Sequence, residues 1–182
     1  MSARYTFTLE SHERRRPLPR KILIAQNENE TAAHVGLKLL AFLLFARERL
    51  QIEPRLHNEN IPFIPDLVQL DYELRPVLWI ECGECSLAKL DKLSVKAPEA
   101  EIWVVRRSAG EAEQLRRSME KQALRRGRYG IVGLDAAFFE EICARLQERN
   151  EVTWMACDFD PPAMQFDFNG LWFDTPFTVL RH

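Results

Sequence analysis

The chain lacks several features that would assign it to a special class of protein. It has only 4 cysteines in 182 residues, too few for the disulfide framework of a small secreted protein. Its longest apolar run, residues 39–46, is too short to span a bilayer and is bounded by Lys38 and Arg47. It shows no internal repeat and no signal-peptide pattern. We therefore expect a single domain, residues 1–182, that is cytoplasmic and does not associate with a membrane.

The chain also has little excess charge of either sign. Lysine and arginine number 25 against 27 acidic residues, a formal net charge of −2. This balance excludes a general polyanion binder and leaves only local basic patches as nucleic-acid contacts. Basic side chains do cluster at residues 14–16 and 116–128. A solvated helix face is the ordinary interpretation of the second cluster, because glutamates are interleaved with it, and phosphate binding is the alternative.

Hydrophobic patterning predicts a mixed α/β (α+β) fold. Strands are predicted at residues 4–9, 21–26, 55–58, 66–70, 77–82, 101–105 and 129–134. Helices are predicted at residues 30–50, 86–97, 111–126 and 136–147. Runs at residues 152–157, 164–168 and 171–179 predict a C-terminal antiparallel β-meander, with Asn169-Gly170 as a hairpin turn. This order of elements is typical of a mixed β-sheet flanked by helices.

Two acidic residues stand at the open ends of a predicted hairpin in the run PDLVQLDYELRPVLWIECGEC, residues 65–85. A turn centred between Glu73 and Leu74 sets Asp66 opposite Glu81. Directly opposed side chains on one face have Cβ atoms about 5 Å apart, so two carboxylates repel each other there unless a cation lies between them. Carboxylate oxygens suit Mg²⁺ or Mn²⁺. The alternative is that one acid caps a turn and the other is a solvated strand end.

The pattern of Pro-Asp, a short hairpin and then two apolar residues, Trp, Ile and Glu resembles the PD-(D/E)XK nuclease superfamily. There, Pro-Asp opens one strand, and an acid and a lysine end its antiparallel neighbour. A longer set of motifs is similar to the YaeQ family, which has this nuclease-like fold. The motifs cover roughly residues 30–97 and are Asn29-Glu30-Thr31, Leu39 to Phe42, Asp71 five residues after Asp66, and LWIECG.

This resemblance implies a restriction-endonuclease-like core and a metal-dependent nuclease that acts on DNA or RNA. Asp66 and Glu81 would bind Mg²⁺ or Mn²⁺, and Glu30 would complete the site directly or through water. Glu30 suits a helix-dipole or capping role equally well, because an acid in the first turn of a helix is favourable. His34 lies one turn beyond Glu30, where it either lines the same cleft or is an ordinary helix histidine.

The sequence departs from the superfamily at the lysine, because Gly83 stands at the third position of E-X-K. The resemblance implies a replacement on the following helix, where Lys89, Lys92 and Lys96 share one face. Lys92 aligns with a lysine of the YaeQ pattern and is the predicted catalytic residue, and Lys89 is the second candidate. The alternative is that the three lysines form an ordinary solvated helix face. The alternative function is a catalytically inactive nuclease-fold protein that binds nucleic acid or a protein partner.

Cys82 and Cys85 form a C-x-x-C motif, which is typical of half a zinc site or of a redox pair. A structural zinc site needs four ligands, and no second Cys/His pair has ligand spacing, since Cys143 and Cys157 are solitary. Alternation along the strand also directs Cys82 away from Glu81 and into the core. A structural or redox module is therefore the weakest of the functional interpretations.

Overall fold

A computed structural model describes residues 3–56 and 58–182. Strands run at β1 (Arg4–Ser11), β2 (Lys21–Ala25), β3 (Leu50–Ile52), β4 (Leu67–Leu70), β5 (Pro76–Cys82), β6 (Glu101–Arg106), β7 (Tyr129–Gly133), β8 (Arg149–Phe159), β9 (Pro162–Phe168), β10 (Leu171–Pro176) and β11 (Thr178–Arg181). Helices are α1 (Ala32–Leu44), α2 (Leu87–Lys96), α3 (Ala109–Lys121) and α4 (Ala136–Arg145).

The described strands form two mixed sheets, whereas one mixed β-sheet with a C-terminal antiparallel meander was predicted. The five-stranded sheet has the order β10-β9-β8-β1-β2, in which only β1 and β8 are parallel. The six-stranded sheet has the order β11-β7-β6-β5-β4-β3, with β5, β6 and β7 parallel and the other neighbours antiparallel. The predicted mixed α/β class is confirmed.

Helix α1 lies between the two sheets and shares one core with both of them. Its residues are buried continuously from Val35 to Leu44, as expected of a helix that is apolar on nearly every side. The helix spans Ala32–Leu44 and not the predicted residues 30–50, and Arg16 donates hydrogen bonds to the main-chain carbonyls of Leu43 and Leu44 in its final turn. None of the helices in residues 3–56 and 58–182 has the length and apolarity needed to cross a membrane.

The other face of the six-stranded sheet is covered by α2 and α3. Trp79 from β5 packs there in a core that includes Leu90 of α2 and Met119 of α3. Because side chains alternate along a strand, Glu81 points to this same face and Cys82 points toward α1. Cys82 is indeed 1% exposed and lies in the core around α1.

The β4–β5 hairpin has the predicted register at its open end. Leu67 pairs with Ile80, and the two preceding pairs toward the turn follow the same alignment. Asp66 and Glu81 are therefore the next residues at the open end of the hairpin. The predicted turn centre, between residues 73 and 74, is wrong, because the register shifts between Gln69 and Leu70 so that Leu70 pairs with Pro76.

The predicted strands at residues 55–58 and 171–179 differ from those in the structure. No strand forms at residues 55, 56 or 58, and residue 57 lies outside the described residues; β3 at Leu50–Ile52 pairs with β4 instead. The last predicted strand divides at the buried Phe177, so β8, β9 and β10 form the expected meander while β11 pairs with β7 in the other sheet. Asn169 and Gly170, with φ of 51° and 82°, form the predicted tight turn.

Candidate functional site

Three side chains that commonly bind metals converge at the N-terminal end of α1. His34 Nε2 lies 3.2 Å from Asp66 Oδ1 and 3.4 Å from Glu30 Oε1, and the three donor atoms all lie within 4.8 Å of one another. Glu30 directly precedes Thr31, the N-cap of the helix, and His34 follows one turn later on the same side. We call Glu30, His34 and Asp66 the triad.

Asp66 is held in place by the main chain on both sides of it. Its Oδ2 accepts a hydrogen bond from the Cys82 N–H at 2.7 Å. Its main-chain carbonyl accepts another from the Glu53 N–H at 2.8 Å. These bonds tie the residue to β5 and to the end of β3, and they leave Oδ1 facing His34.

Glu81 lies beside the triad, but other groups bind it. Its Oε1 accepts hydrogen bonds from Trp79 Nε1 at 2.7 Å and from Lys89 Nζ at 2.8 Å. Burial raises the pKa of Glu81, the ammonium of Lys89 opposes that rise, and the nearby negative charge of Asp66 adds to it. Glu81 is thus a neighbour of Asp66 whose carboxylate already has a cation as its partner.

The lysine that contacts Glu81 is Lys89, and Lys92 does not reach it. Ser86 caps α2 by accepting a hydrogen bond from the Lys89 N–H, which fixes Lys89 in the first turn, next to the end of β5. Its ammonium also lies 5.5 Å from the centre of the Phe63 ring. Lys92 is exposed, and it forms no salt bridge with the residues that the structure describes. The structure therefore brings the second-ranked lysine of the sequence analysis to the site.

The backbone explains why glycine occupies the third position of the E-X-K pattern. Gly83 has a φ of +76°, in the left-handed region that disfavours side chains. A Cβ at this position would lie 3.4 Å from His34 Nδ1. A lysine there would strain the chain because of the positive φ, so a positive charge at Glu81 has to come from another element. Helix α2 supplies it.

A second buried ion-pair group lies behind Glu30 and was not predicted. Lys38 is 0% exposed, and its Nζ lies 2.8 Å from Glu30 Oε2 and 2.6 Å from Glu53 Oε1. Asn27 supports both carboxylates, through its N–H to Glu30 at 3.0 Å and its side-chain amide to Glu53 at 2.9 Å. The sequence signal for Lys38 was a lone charge among the apolar residues of a buried helix. Such a charge requires a partner of opposite sign. No comparable signal marks Glu53.

These ion pairs set the charge of the site. Burial by itself would raise the pKa of Glu30, but hydrogen bonds from Lys38 and Asn27 outweigh it and lower that pKa. Burial also disfavours protonated His34, yet the carboxylates of Asp66 and Glu30 raise its pKa overall. With neutral histidine, the four carboxylates and two lysines described above leave two negative charges, which one divalent cation would balance.

A cleft of about 340 Å³ opens beside the triad. Glu30 and His34 line it, together with residues that include Glu84, Arg107 and Glu111. Arg107 and Glu111 pair with each other at 2.8 Å. A ligand can therefore approach Glu30 and His34 from solvent through walls that carry both signs of charge.

The residues of the triad fit a divalent metal ion. Bonds of about 2.1 Å at right angles place neighbouring ligand atoms about 3 Å apart, close to the 3.2 Å and 3.4 Å between His34 Nε2 and the two carboxylates. Carboxylates suit Mg²⁺ and Mn²⁺, whereas an imidazole suits transition metals. This mixed set of ligands fits Mn²⁺ better than Mg²⁺.

The remaining sequence candidates have ordinary surroundings. All four cysteines are free. Burial raises the pKa of the Cys82 thiol well above its usual range and that of Cys85 to about 12, so neither is a ready thiolate. Arg116 and Arg117 both pair with Glu113 on their own helix, at 2.7 Å and 3.1 Å. Their charges are therefore balanced locally.

Comparison with known proteins gives a family match and two similar solved structures. The family model described as YaeQ protein matches residues 3–159. The YaeQ protein from Xanthomonas axonopodis pv. citri is 21% identical, with a TM-score of 0.80, over 100% of this chain and 99% of that one. The YaeQ protein from Pseudomonas syringae is 16% identical, with a TM-score of 0.75, over 100% and 97%. Likeness at these identities shows the fold alone. No curated protein matches the sequence.

Proposed function

Because the chain belongs to the YaeQ family, we propose that it has the activity implied by the resemblance of that family to the PD-(D/E)XK nucleases. The activity is divalent-metal-dependent hydrolysis of phosphodiester bonds in DNA or RNA. The observation that carries the proposal is the convergence of Glu30 Oε1, His34 Nε2 and Asp66 Oδ1 within 4.8 Å of one another. These atoms lie at the open end of an antiparallel hairpin beside a core helix, where the PD-(D/E)XK resemblance expects a metal.

Each residue of the site has a role in this proposal. Glu30, His34 and Asp66 hold the ion, with Mn²⁺ preferred to Mg²⁺. A bound ion of this kind polarises a phosphoryl oxygen and lowers the pKa of a bound water. Lys89 stabilises the negative charge that builds up on the phosphoryl oxygens. Glu81 orients that ammonium through their 2.8 Å contact.

Lys89 takes the place of the E-X-K lysine in the proposed mechanism, in preference to Lys92. An ammonium that acts on the substrate has to lie near the metal and remain accessible. The Lys89 side chain is 23% exposed and contacts the carboxylate of Glu81, the residue opposite Asp66 at the open end of the hairpin. Lys92 is exposed but lies nearly one turn further along α2, away from the end of β5.

A nuclease assay tests the proposal. The purified protein is incubated with Mn²⁺ and with single-stranded DNA, double-stranded DNA and RNA. We expect cleavage of at least one of them, and a loss of about 100-fold or more in the Asp66→Asn variant, because the ion then has a neutral amide in place of a charged carboxylate ligand. Glu73→Gln removes a carboxylate at the far end of the same hairpin and should cleave normally. A wild-type protein that binds Mn²⁺ but cleaves none of the three would overturn the proposal.

A second candidate is a catalytically inactive nuclease-fold protein that binds nucleic acid. The observation that favours it is the contact between Lys89 and Glu81, because an ammonium already neutralises a carboxylate that the PD-(D/E)XK resemblance assigns to the metal. Fluorescence anisotropy with labelled oligonucleotides at several salt concentrations distinguishes the two. Salt-dependent binding without cleavage supports this candidate. The absence of both binding and cleavage would leave a protein partner as the remaining interpretation.

A further inference from the structure

Lys38 is enclosed in the protein and cannot itself touch a substrate. Its side chain is 0% exposed, and it does not line the cleft beside the triad. Its Nζ contacts Glu30 Oε2, Glu53 Oε1 and, at 3.5 Å, the carbonyl oxygen of Ala25. Burying an ammonium group costs free energy unless an opposite charge is paired with it. Lys38 is paired with two carboxylates, although one would neutralise its charge. Lys38 is also the one lysine or arginine in α1, within a run that is buried from Val35 to Leu44.

We infer that Lys38 is a positioning residue that holds Glu30 and the chain beside Asp66 in the geometry required to bind a metal. This inference rests on the proposed metal site. Lys38 and the Asn27 N–H bind the Oε2 atom of Glu30, so only Oε1 is left to face His34. The carboxylate is thereby held in one orientation before any ion arrives.

The same ammonium also reaches the second carboxylate of the triad, through the main chain. Lys38 binds the Glu53 side chain, and the Glu53 N–H donates to the Asp66 carbonyl at 2.8 Å. Glu53 has a φ of +47°, unusual for a residue with a side chain. The contacts made by its side chain and its N–H hold the backbone in this conformation. One buried group thus fixes the relative positions of Glu30 and Asp66, which lie 36 residues apart in the sequence.

Charge and position can be separated by comparing two variants. Lys38→Met keeps the aliphatic stem but makes the site more negative, so charge alone would strengthen the binding of a cation. Lys38→Met combined with Glu53→Gln removes one charge of each sign and restores the formal charge of the wild type. A change of Mn²⁺ affinity in the double variant therefore reports on position and not on net charge.

Isothermal titration with Mn²⁺ is the test. We expect the folded double variant to bind Mn²⁺ at least tenfold more weakly than the wild type. The control double variant Glu73→Gln with Arg75→Met also removes one charge of each sign, from an exposed pair 3.1 Å apart, and should keep wild-type affinity. Circular dichroism establishes folding first. Should Lys38→Met alone unfold the chain, the charge-balanced double variant still decides the question.

The possible outcomes distinguish a failure of the role inferred for Lys38 from a failure of the proposed metal site. A wild-type protein that binds no Mn²⁺ would overturn the metal site itself, and with it the role of Lys38. Wild-type affinity in the double variant would overturn only the role of Lys38, leaving it as a counter-ion of the core. Weaker binding in both double variants would also count against it, because a charge-neutral change remote from the site would then have the same effect.

Discussion

Lys89 Nζ lies 2.8 Å from Glu81 Oε1, although the two residues belong to different elements. Glu81 is 4% exposed near the end of β5, and Lys89 is in the first turn of α2. The left-handed Gly83 lies in the turn between them. An acid and a lysine therefore meet here without the two-residue spacing of E-X-K, because the chain reverses and returns the lysine from the helix.

Replacing Lys89 by methionine should destabilise the fold and abolish any Mn²⁺-dependent cleavage. The change leaves Glu81 buried with Trp79 as its remaining side-chain donor, so we expect the free energy of unfolding to fall by about 1–3 kcal/mol. Lys92→Met is the matched control on the same helix. Its side chain is exposed, so its effect on stability should stay within about 0.5 kcal/mol. Urea denaturation and the nuclease assay measure the two effects. Full cleavage by Lys89→Met, or loss only in Lys92→Met, would contradict the assignment.

The contact between Glu81 and Lys89 should make the stability of the protein depend on pH. Burial raises the pKa of Glu81 above its ordinary value of 4.5, so the folded protein holds this proton more tightly than the unfolded chain does. The contribution of Glu81 to stability is therefore greatest below pH 4.5 and falls as the pH rises through its folded pKa. In Lys89→Met the opposing charge is gone and the fall should be larger. Urea denaturation at pH 4.5 and 7.5 compares it with Lys92→Met. An equal pH dependence in both variants would mean that Lys89 has no influence on the protonation of Glu81.

Mn²⁺ should raise the melting temperature of the wild-type protein. An ion at 100 times its dissociation constant stabilises the folded state by about 2.7 kcal/mol, which corresponds to about 5–10 °C for a chain of this size. Asp66→Asn should remove the shift, and Glu73→Gln should keep it. Mg²⁺ should give a smaller shift, because His34 is one of the three ligands. A full Mn²⁺ shift in the Asp66→Asn variant would place the ion elsewhere.

Local patterning was sufficient to predict the β4–β5 hairpin and its register at the open end, but not the register shift between Gln69 and Leu70. Alternating apolar residues on both sides of a polar turn allow few alignments, since a one-residue slip would turn the buried side chains to the wrong face. Asp66 and Glu81 could therefore be placed at adjacent strand ends from the sequence. The two-residue turn at Asn169-Gly170 was predictable for a similar local reason.

Features that depend on packing between distant elements could not be predicted. Lys89 and Lys92 lie on one face of α2, and only the docking of that helix on β5 decides which of them reaches Glu81. Lys38 and Glu53 meet because β3 returns beside α1, and this short strand was predicted five residues too late. The division of the strands into two sheets depends on β11 crossing to β7. No local pattern around Phe177 encodes that crossing.

The thiol of Cys85 should react slowly in the folded protein. Burial raises its pKa from 9.0 to about 12, and each pKa unit lowers the thiolate fraction about tenfold. Alkylation with iodoacetamide at pH 8 should therefore be about 1000-fold slower at Cys85 in the folded chain than in the urea-unfolded chain. Peptide mass spectrometry resolves the individual cysteines.

A zinc chelator should leave the melting temperature unchanged, and a large drop would instead identify Cys82 and Cys85 as metal ligands.

Substitution by alanine should destabilise the protein at Gly133 and stabilise it at Gly36. A Cβ on Gly133 would lie 2.8 Å from Ser108 O and from Ala109 Cα, which are main-chain atoms that cannot rotate away. Gly133→Ala should therefore separate β7 from the start of α3 and cost about 1–3 kcal/mol. A Cβ on Gly36 would meet Phe139 at an ordinary 3.5 Å, and alanine in a helix interior is favoured over glycine by about 1 kcal/mol. Gly36→Ala should thus raise the melting temperature by a few degrees, and Gly133→Ala should lower it. Destabilisation of similar size in both variants would show that α1 is packed too tightly to accept one methyl group.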